Sequence, residues 1–163
     1  MQSINSTEPA DPASPFHLGW REWCVLPDLD LPAIKAKVDT GAKTSALHTF
    51  RIEPFVQDGT NFVRFWVHPL QRNEDLVREC VAVIKDERTV CDSGGHKELR
   101  YIIETTVRIG DKNWPIEMSL TNRDTMRFRM LLGRKAMQDH VAVIPTASYI
   151  HGRLRAKRIY GLI

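Results

Sequence analysis

The chain has 163 residues, 42% of them hydrophobic and 26% charged, with a formal net charge of +3. This suits one domain with a tail, and it excludes a disordered chain because there is enough apolar surface to bury a core. The mild charge does not argue for nucleic acid as a partner, and no apolar run reaches the ~20 residues of a membrane span.

Residues 1–16 are rich in Ser, Pro, Asp and Glu without periodicity and read as a disordered N-terminal tail. They lack the basic and apolar segments of a secretory signal, so the expected location is the cytoplasm. Residues 17–152 read as one domain of short apolar runs. Strands are expected over 23–26, 34–38, 62–67, 77–84, 101–109, 114–120 and 127–132, rich in Val, Ile, Phe and Trp. Turn residues separate them at Pro27-Asp28, Asp58-Gly59, Ser93-Gly94-Gly95 and Gly110-Asp111. One helix is expected over 133–139, and a short strand over 141–144 follows it. The fold class is mostly β, of the closed or sandwiched kind that frequent short strands suggest.

Residues 153–163 read as a basic C-terminal tail, with four positive charges between Arg153 and Arg158. Such a segment can touch RNA, a ribosome or an acidic partner, and more often is a solvated terminus. The three cysteines, Cys24, Cys80 and Cys91, show no Cys-x-x-Cys spacing and read as free buried thiols. Trp20, Trp23, Trp66 and Trp114 read as core or interface residues.

Lys37-Val-Asp-Thr-Gly-Ala-Lys-Thr-Ser45 carries the chemistry. An Asp at a strand end can aim a carboxylate at water. Thr40 can hydrogen-bond inward, and Gly41 can bring its N–H onto that carboxylate. Asp-Thr-Gly alone equally suits a strand-end turn. Met130-Leu-Leu-Gly-Arg134 adds the two-apolars-then-Gly pattern in front of a helix.

Together, Asp39-Thr-Gly-Ala42 and Leu131-Leu-Gly-Arg134 resemble a retroviral (retropepsin) protease lobe. Gly19-Trp-Arg-Glu22, the run from Lys35 to His48, and Leu120–Asp124 with Met130–Arg134 resemble more closely a bacterial family described as ATP-dependent zinc proteases. That family is associated with ATP-grasp ligases. The resemblance implies a closed β-barrel of the acid-protease type with one short helix after Leu-Leu-Gly-Arg. It implies Asp39 as catalyst, Thr40, Gly41 and Ala42 as its loop, and Leu131, Leu132, Gly133 and Arg134 as the supporting motif. The two words in the family description find no support in the residues. There is no His-Glu-x-x-His zinc helix and no phosphate-binding Gly-Lys-Ser/Thr loop, so no metal ligand and no cofactor is expected.

Aspartic hydrolysis needs two carboxylates sharing a proton. Asp92-Ser93-Gly94 is a second match to the tripeptide, but no second Leu-Leu-Gly accompanies it. Asp92, Ser93, Gly94, Gly95 and His96 read instead as a flap over substrate, or as an ordinary surface hairpin. The second carboxylate is therefore expected from Asp39 of a second copy, in a two-fold homodimer with Thr40 as the cross-brace. Where retroviral enzymes place an acid after Asp-Thr-Gly-Ala, this chain has Lys43, so Arg134 must find another partner. His48 reads as a groove contact or as a structural histidine, and Thr121–Asp124 as a functional loop or a capping turn.

The expected function is an aspartic-type peptidase acting on a peptide or protein tail, including products of an ATP-grasp ligase partner. The alternatives are a catalytically weak peptide-binding module and, on the family description alone, a zinc-dependent protease.

Overall fold

The computed structural model describes residues 15–91, 93–122 and 127–163. Twelve strands carry the fold among them: β1 (Phe16–Leu18), β2 (Arg21–Leu26), β3 (Leu31–Asp39), β4 (Ser45–His48), β5 (Arg51–Gln57), β6 (Thr60–Val67), β7 (Arg78–Val83), β8 (Asp86–Cys91), β9 (Lys97–Ile109), β10 (Lys112–Thr121), β11 (Met130–Gly133) and β12 (Val141–Val143). One α-helix, α1 (Ala156–Ile159), follows them. The protein is mostly β, and among the described residues no helix is long and apolar enough to cross a membrane.

The main sheet has the order β10-β4-β11-β3-β2-β9-β8, and β10 pairs in addition with β9. Strands β5, β6 and β7 form an antiparallel sheet, and β1 pairs in parallel with β12. The alternation of β3 shows how the core is made: Ile34, Ala36 and Val38 are buried, while Lys35, Lys37 and Asp39 turn to the other face. Leu26, Leu47, Phe65, Ile103, Met118 and Met130 join this core from six other strands. The β5–β6 connection is Asp58-Gly59, with φ of 51° and 78°. Positive φ at both positions is the hairpin turn whose twist matches its strands, and Asp-Gly supplies it at small cost. Pro54 is tolerated because β5 lies at a sheet edge.

Several expectations are corrected. The N-terminal tail was expected over 1–16, but Phe16 opens β1 opposite Val141; residues 1–14 lie outside the described residues. The helix expected over 133–139 is a single 3-10 turn at Arg134–Ala136. The chain cannot continue it, because Asp139 takes φ 81° and Val141 must reach Phe16. Strands β1, β4, β5 and β8 were not expected. Cys91 is exposed, whereas Cys24 and Cys80 are buried; burial pushes the Cys80 thiol up to about 12.

The basic tail is not simply solvated. Ala156 and Tyr160 are buried against Ala33 and Leu70. The Tyr160 hydroxyl donates to the Ala33 carbonyl at 2.6 Å and accepts from the Ala33 N–H at 3.3 Å. Burial pushes this phenol up to about 12. Nearby, Glu22 is fully buried, and its carboxylate accepts backbone N–H bonds from Gly19 (2.7 Å), Ile150 (3.1 Å) and His151 (3.4 Å). It thereby ties the start of the domain to the segment leading into α1.

Tyr160→Phe leaves both buried polar groups of Ala33 without this partner. The expected loss is about 1–2 kcal/mol of unfolding free energy, read by urea denaturation. An unchanged midpoint would mean that the tail does not contribute to the fold.

Candidate functional site

Strand β3 ends at Asp39, and β11 runs parallel beside it with Leu132 opposite Val38 and Gly133 opposite Asp39. The other edge of β11 pairs antiparallel with β4, through Met130–Leu47 and Leu131–Ala46. The loop of residues 40–44 therefore leaves β3 and returns as β4 on the far side of β11. This brings the two motifs together: Asp39 to Ala42 on one side, Leu131 to Arg134 on the other.

The loop is fastened largely by backbone. The Gly41 N–H donates to Asp39 Oδ1 at 3.0 Å, and the Ala42 N–H donates to the Asp39 carbonyl at 3.2 Å. The Arg134 and Lys135 N–H groups donate to the Ala42 and Lys43 carbonyls at 2.7 and 2.9 Å. The Arg134 guanidinium donates to the Thr40 carbonyl at 2.9 Å, which answers what it does when Lys43 stands in place of an acid. Asp39 is half-buried, whereas Thr40, Gly41 and Lys43 are exposed. One oxygen of the Asp39 carboxylate is thus pinned at a strand end, beside a loop open to solvent.

Ser45 is a participant that sequence reasoning did not single out. Its buried Oγ accepts from the Gly133 N–H at 2.9 Å. The signal was a small hydroxyl residue just after the loop, but only the pairing makes it meaningful. Gly133 is required by close approach. A Cβ there would stand 2.6 Å from the Thr44 carbonyl carbon and 2.8 Å from the Ser45 nitrogen. Both are backbone atoms that cannot swing away.

Ser93, Gly94, Gly95 and His96 lie in the connection between β8 and β9, with Gly95 at φ 85°; Asp92 lies outside the described residues. The stem of this hairpin is linked to the loop support by charge. Glu117 on β10 accepts from Arg88 on β8 at 2.9 Å and from Lys135 at 2.9 Å, and lies 3.3 Å from Lys85. Arg88 first, then Lys135, hold the Glu117 carboxyl down at about 2. His48 is buried on β4, away from solvent. Thr121 closes β10 and Asn122 is exposed, while residues 123–126 lie outside the described residues. Among the described residues no three His, Cys, Asp or Glu side chains converge as a ligand set for a metal ion.

Gly133→Ala is expected to destabilise the protein by about 2–4 kcal/mol in urea unfolding, since the added methyl must displace backbone. A loss below about 0.5 kcal/mol would contradict this packing. Glu117 gives a pH dependence. Its folded value is lowered from 4.5 to about 2, so its contribution is present above the unfolded value and lost as pH falls from about 4.5 through 2. Lys85 and Lys135 are largely exposed, so screening reduces that contribution to about 1 kcal/mol. Melting temperatures of wild type and Glu117→Gln should differ at neutral pH and converge toward pH 2. A constant gap would refute the ion-pair account.

Comparison with known proteins gives the family. Residues 17–154 match a family model described as RimB-like, retropepsin-like aspartic endopeptidase RimB. The chain is 41% identical over 150 residues to a Shewanella pealeana protein named "Probable alpha-L-glutamate ligase", covering 90% of this chain and 33% of that one. It is 46% identical over 142 residues to a Parasynechococcus marenigrum protein of the same name, covering 87% of this chain and 30% of that one. The chain thus spans about a third of the length of these curated relatives. A crystal structure of a Legionella pneumophila protein of unknown function, Lpg0085, superposes with a TM-score of 0.68 at 28% identity, covering 83% of this chain and 97% of that one. With Asp39-Thr-Gly-Ala42 seated against Leu131-Leu-Gly-Arg134 inside the matched span, the chain belongs to the RimB-like family of retropepsin-like proteins.

Proposed function

We propose that the protein is an aspartic-type peptidase that uses Asp39 from each of two copies to activate water against a peptide bond. The observation that carries this reading is the Asp39 loop: a carboxylate oriented by the Gly41 N–H, in a loop braced by Arg134 at the Thr40 carbonyl. The described loop supplies one carboxylate and the chemistry needs two, one ionised to draw the proton from water and one protonated to hydrogen-bond the scissile carbonyl. A two-fold axis beside Asp39 would provide the second, and the exposure of Thr40 and Gly41 leaves that face free to meet its copy. The closed barrel of this fold type is supported by the β10–β9 pairing, which returns the sheet onto its first strand.

The substrate we infer is a glutamate-containing peptide or protein tail. The support is that the relatives carrying a homologous stretch are named glutamate ligases. A hydrolase for the bonds such a ligase forms would have its natural place beside one, with the ligase, expected from the sequence to be of the ATP-grasp class, as partner. Those same names favour a second reading. In a protein two-thirds of which lies outside the matched stretch, this domain could hold a peptide tail for the ligase without cutting it.

The test is cleavage of an α-glutamyl peptide and of a mixed peptide pool by wild type and Asp39→Asn, followed by mass spectrometry. The peptidase reading expects Asp39→Asn to lose roughly 10²–10⁴-fold in rate and the active species to sediment as a dimer. Equal cleavage by both proteins would end the aspartic mechanism. Undiminished peptide binding with no cleavage by either would favour the holding module.

A further inference from the structure

A second feature shares a strand with Asp39 and has no part in the loop. A cleft of about 570 Å³ opens where β2 and β3 meet the segment of residues 69–73 and the start of α1. Arg21, Lys35, Arg72, Arg127 and Lys157 line it together with Trp23, and among the described residues no carboxylate does. None of these five cations forms an ion pair among the described residues. Five like charges around one concavity repel one another and focus a positive field into it.

The cleft is built rather than incidental. Lys35 donates to Gln71 Oε1 at 3.2 Å, and Arg21 Nε donates to Ser148 Oγ at 3.2 Å. The Asn73 side chain accepts from the Asp75 and Leu76 N–H groups, folding the turn that presents Arg72. Arg72 itself is held at φ 56°, a conformation that disfavours an ordinary side chain.

The orientation of β3 connects cleft and loop. Lys35, Lys37 and Asp39 lie on one face of the strand, with Lys37 exposed and opposite Arg21. Lys35 is four residues from Asp39, about 13 Å along the strand. An extended peptide covers that span in about four residues.

We infer that this cleft is an exosite for the acidic flank of a carboxylate-rich peptide, which positions that peptide along β3 toward Asp39. The choice of a glutamyl peptide rests on the peptidase reading, whereas the cleft itself does not. The aromatic faces argue against single-stranded nucleic acid, which would use them as stacking platforms. Trp23 is the aromatic side chain in the described lining, and Lys35 lies over its ring at 5.2 Å.

The experiment measures binding of a fluorescent oligo-α-glutamate peptide to the full chain carrying Asp39→Asn, which prevents cutting. The exposed cations of the cleft are removed together as Arg72→Gln/Arg127→Gln/Lys157→Gln. Lys112→Gln, outside the cleft lining, serves as the charge control, and melting curves check that each variant folds. The triple variant should bind roughly tenfold more weakly or worse at low salt, the control should bind as the parent does, and an oligoglutamine peptide should not bind. Parent-like binding by the triple variant, equal binding of oligoglutamine, or tighter binding of a single-stranded RNA of matched length would each overturn the exosite. Cleavage with Asp39 intact separates the two readings. Asp39-dependent cutting that the triple variant retains in full removes only the exosite. Peptide binding lost in the triple variant, with no cutting by any protein, removes only the peptidase.

Discussion

The contact on which the site depends is backbone against backbone. Gly133 lies beside Asp39 on one edge of β11 and against Thr44-Ser45 on the other. No side chain fits there. The distance between the end of β3 and the start of β4 is therefore set by the one strand between them, about 10 Å as two inter-strand spacings, and the loop of residues 40–44 has little choice of path. The Ser45 hydroxyl takes the Gly133 N–H, so this close approach leaves no buried donor unmet. Leu132 and Val38, paired one residue deeper, anchor the same contact in the core.

Charge is distributed unevenly around this scaffold. Glu117 gathers three cations onto one half-hidden carboxylate, and thereby couples the β8–β9 stem to the turn that follows Arg134. Glu22 is a buried carboxylate with no cation beside it in the described contacts, stabilised by three amides instead. The cleft beside β3 is the opposite case, cations without a carboxylate among the described residues. The first two arrangements are internally satisfied and account for themselves as structure. In the third, Lys35 and Arg21 reach only neutral partners, Gln71 and Ser148, so its positive charge is not neutralised among the described residues.

What the sequence made readable follows from how local each signal is. Asp39-Thr-Gly-Ala42 and Leu131-Leu-Gly-Arg134 are short motifs whose chemistry is carried by adjacent residues, so both could be found and matched to each other. The Asp58-Gly59 turn was legible for the same reason. Strand β4, Ser45-Ala-Leu-His48, has little β propensity and is buried at all four positions. It is a strand because β10 and β11 flank it, and neither neighbour is close in sequence. Good helix formers after Gly133 suggested a helix, but the need of Val141 to pair with Phe16 stopped the chain after one turn. The five cations of the cleft come from five separate segments, so no window of sequence contains the feature. The tail looked solvated by composition, although Tyr160 docks onto Ala33 through two hydrogen bonds.

Lys43 brings these threads to one point. An acid at this position would neutralise Arg134 and make the loop brace an ion pair, which weakens wherever its carboxylate takes up a proton. Here the brace is Arg134 to the Thr40 carbonyl. A carbonyl does not titrate, so the hold on the loop does not depend on protonation of its acceptor. The consequence for charge is that Arg134, Lys43 and Lys37 all remain as positive neighbours of the loop, with Lys35 further back on the same face of β3. Replacing one acid by a lysine thus keeps the loop braced while extending the positive field from the cleft to the strand end at Asp39. A substrate bearing carboxylates would be drawn along that field, and a neutral or basic peptide would gain nothing from it.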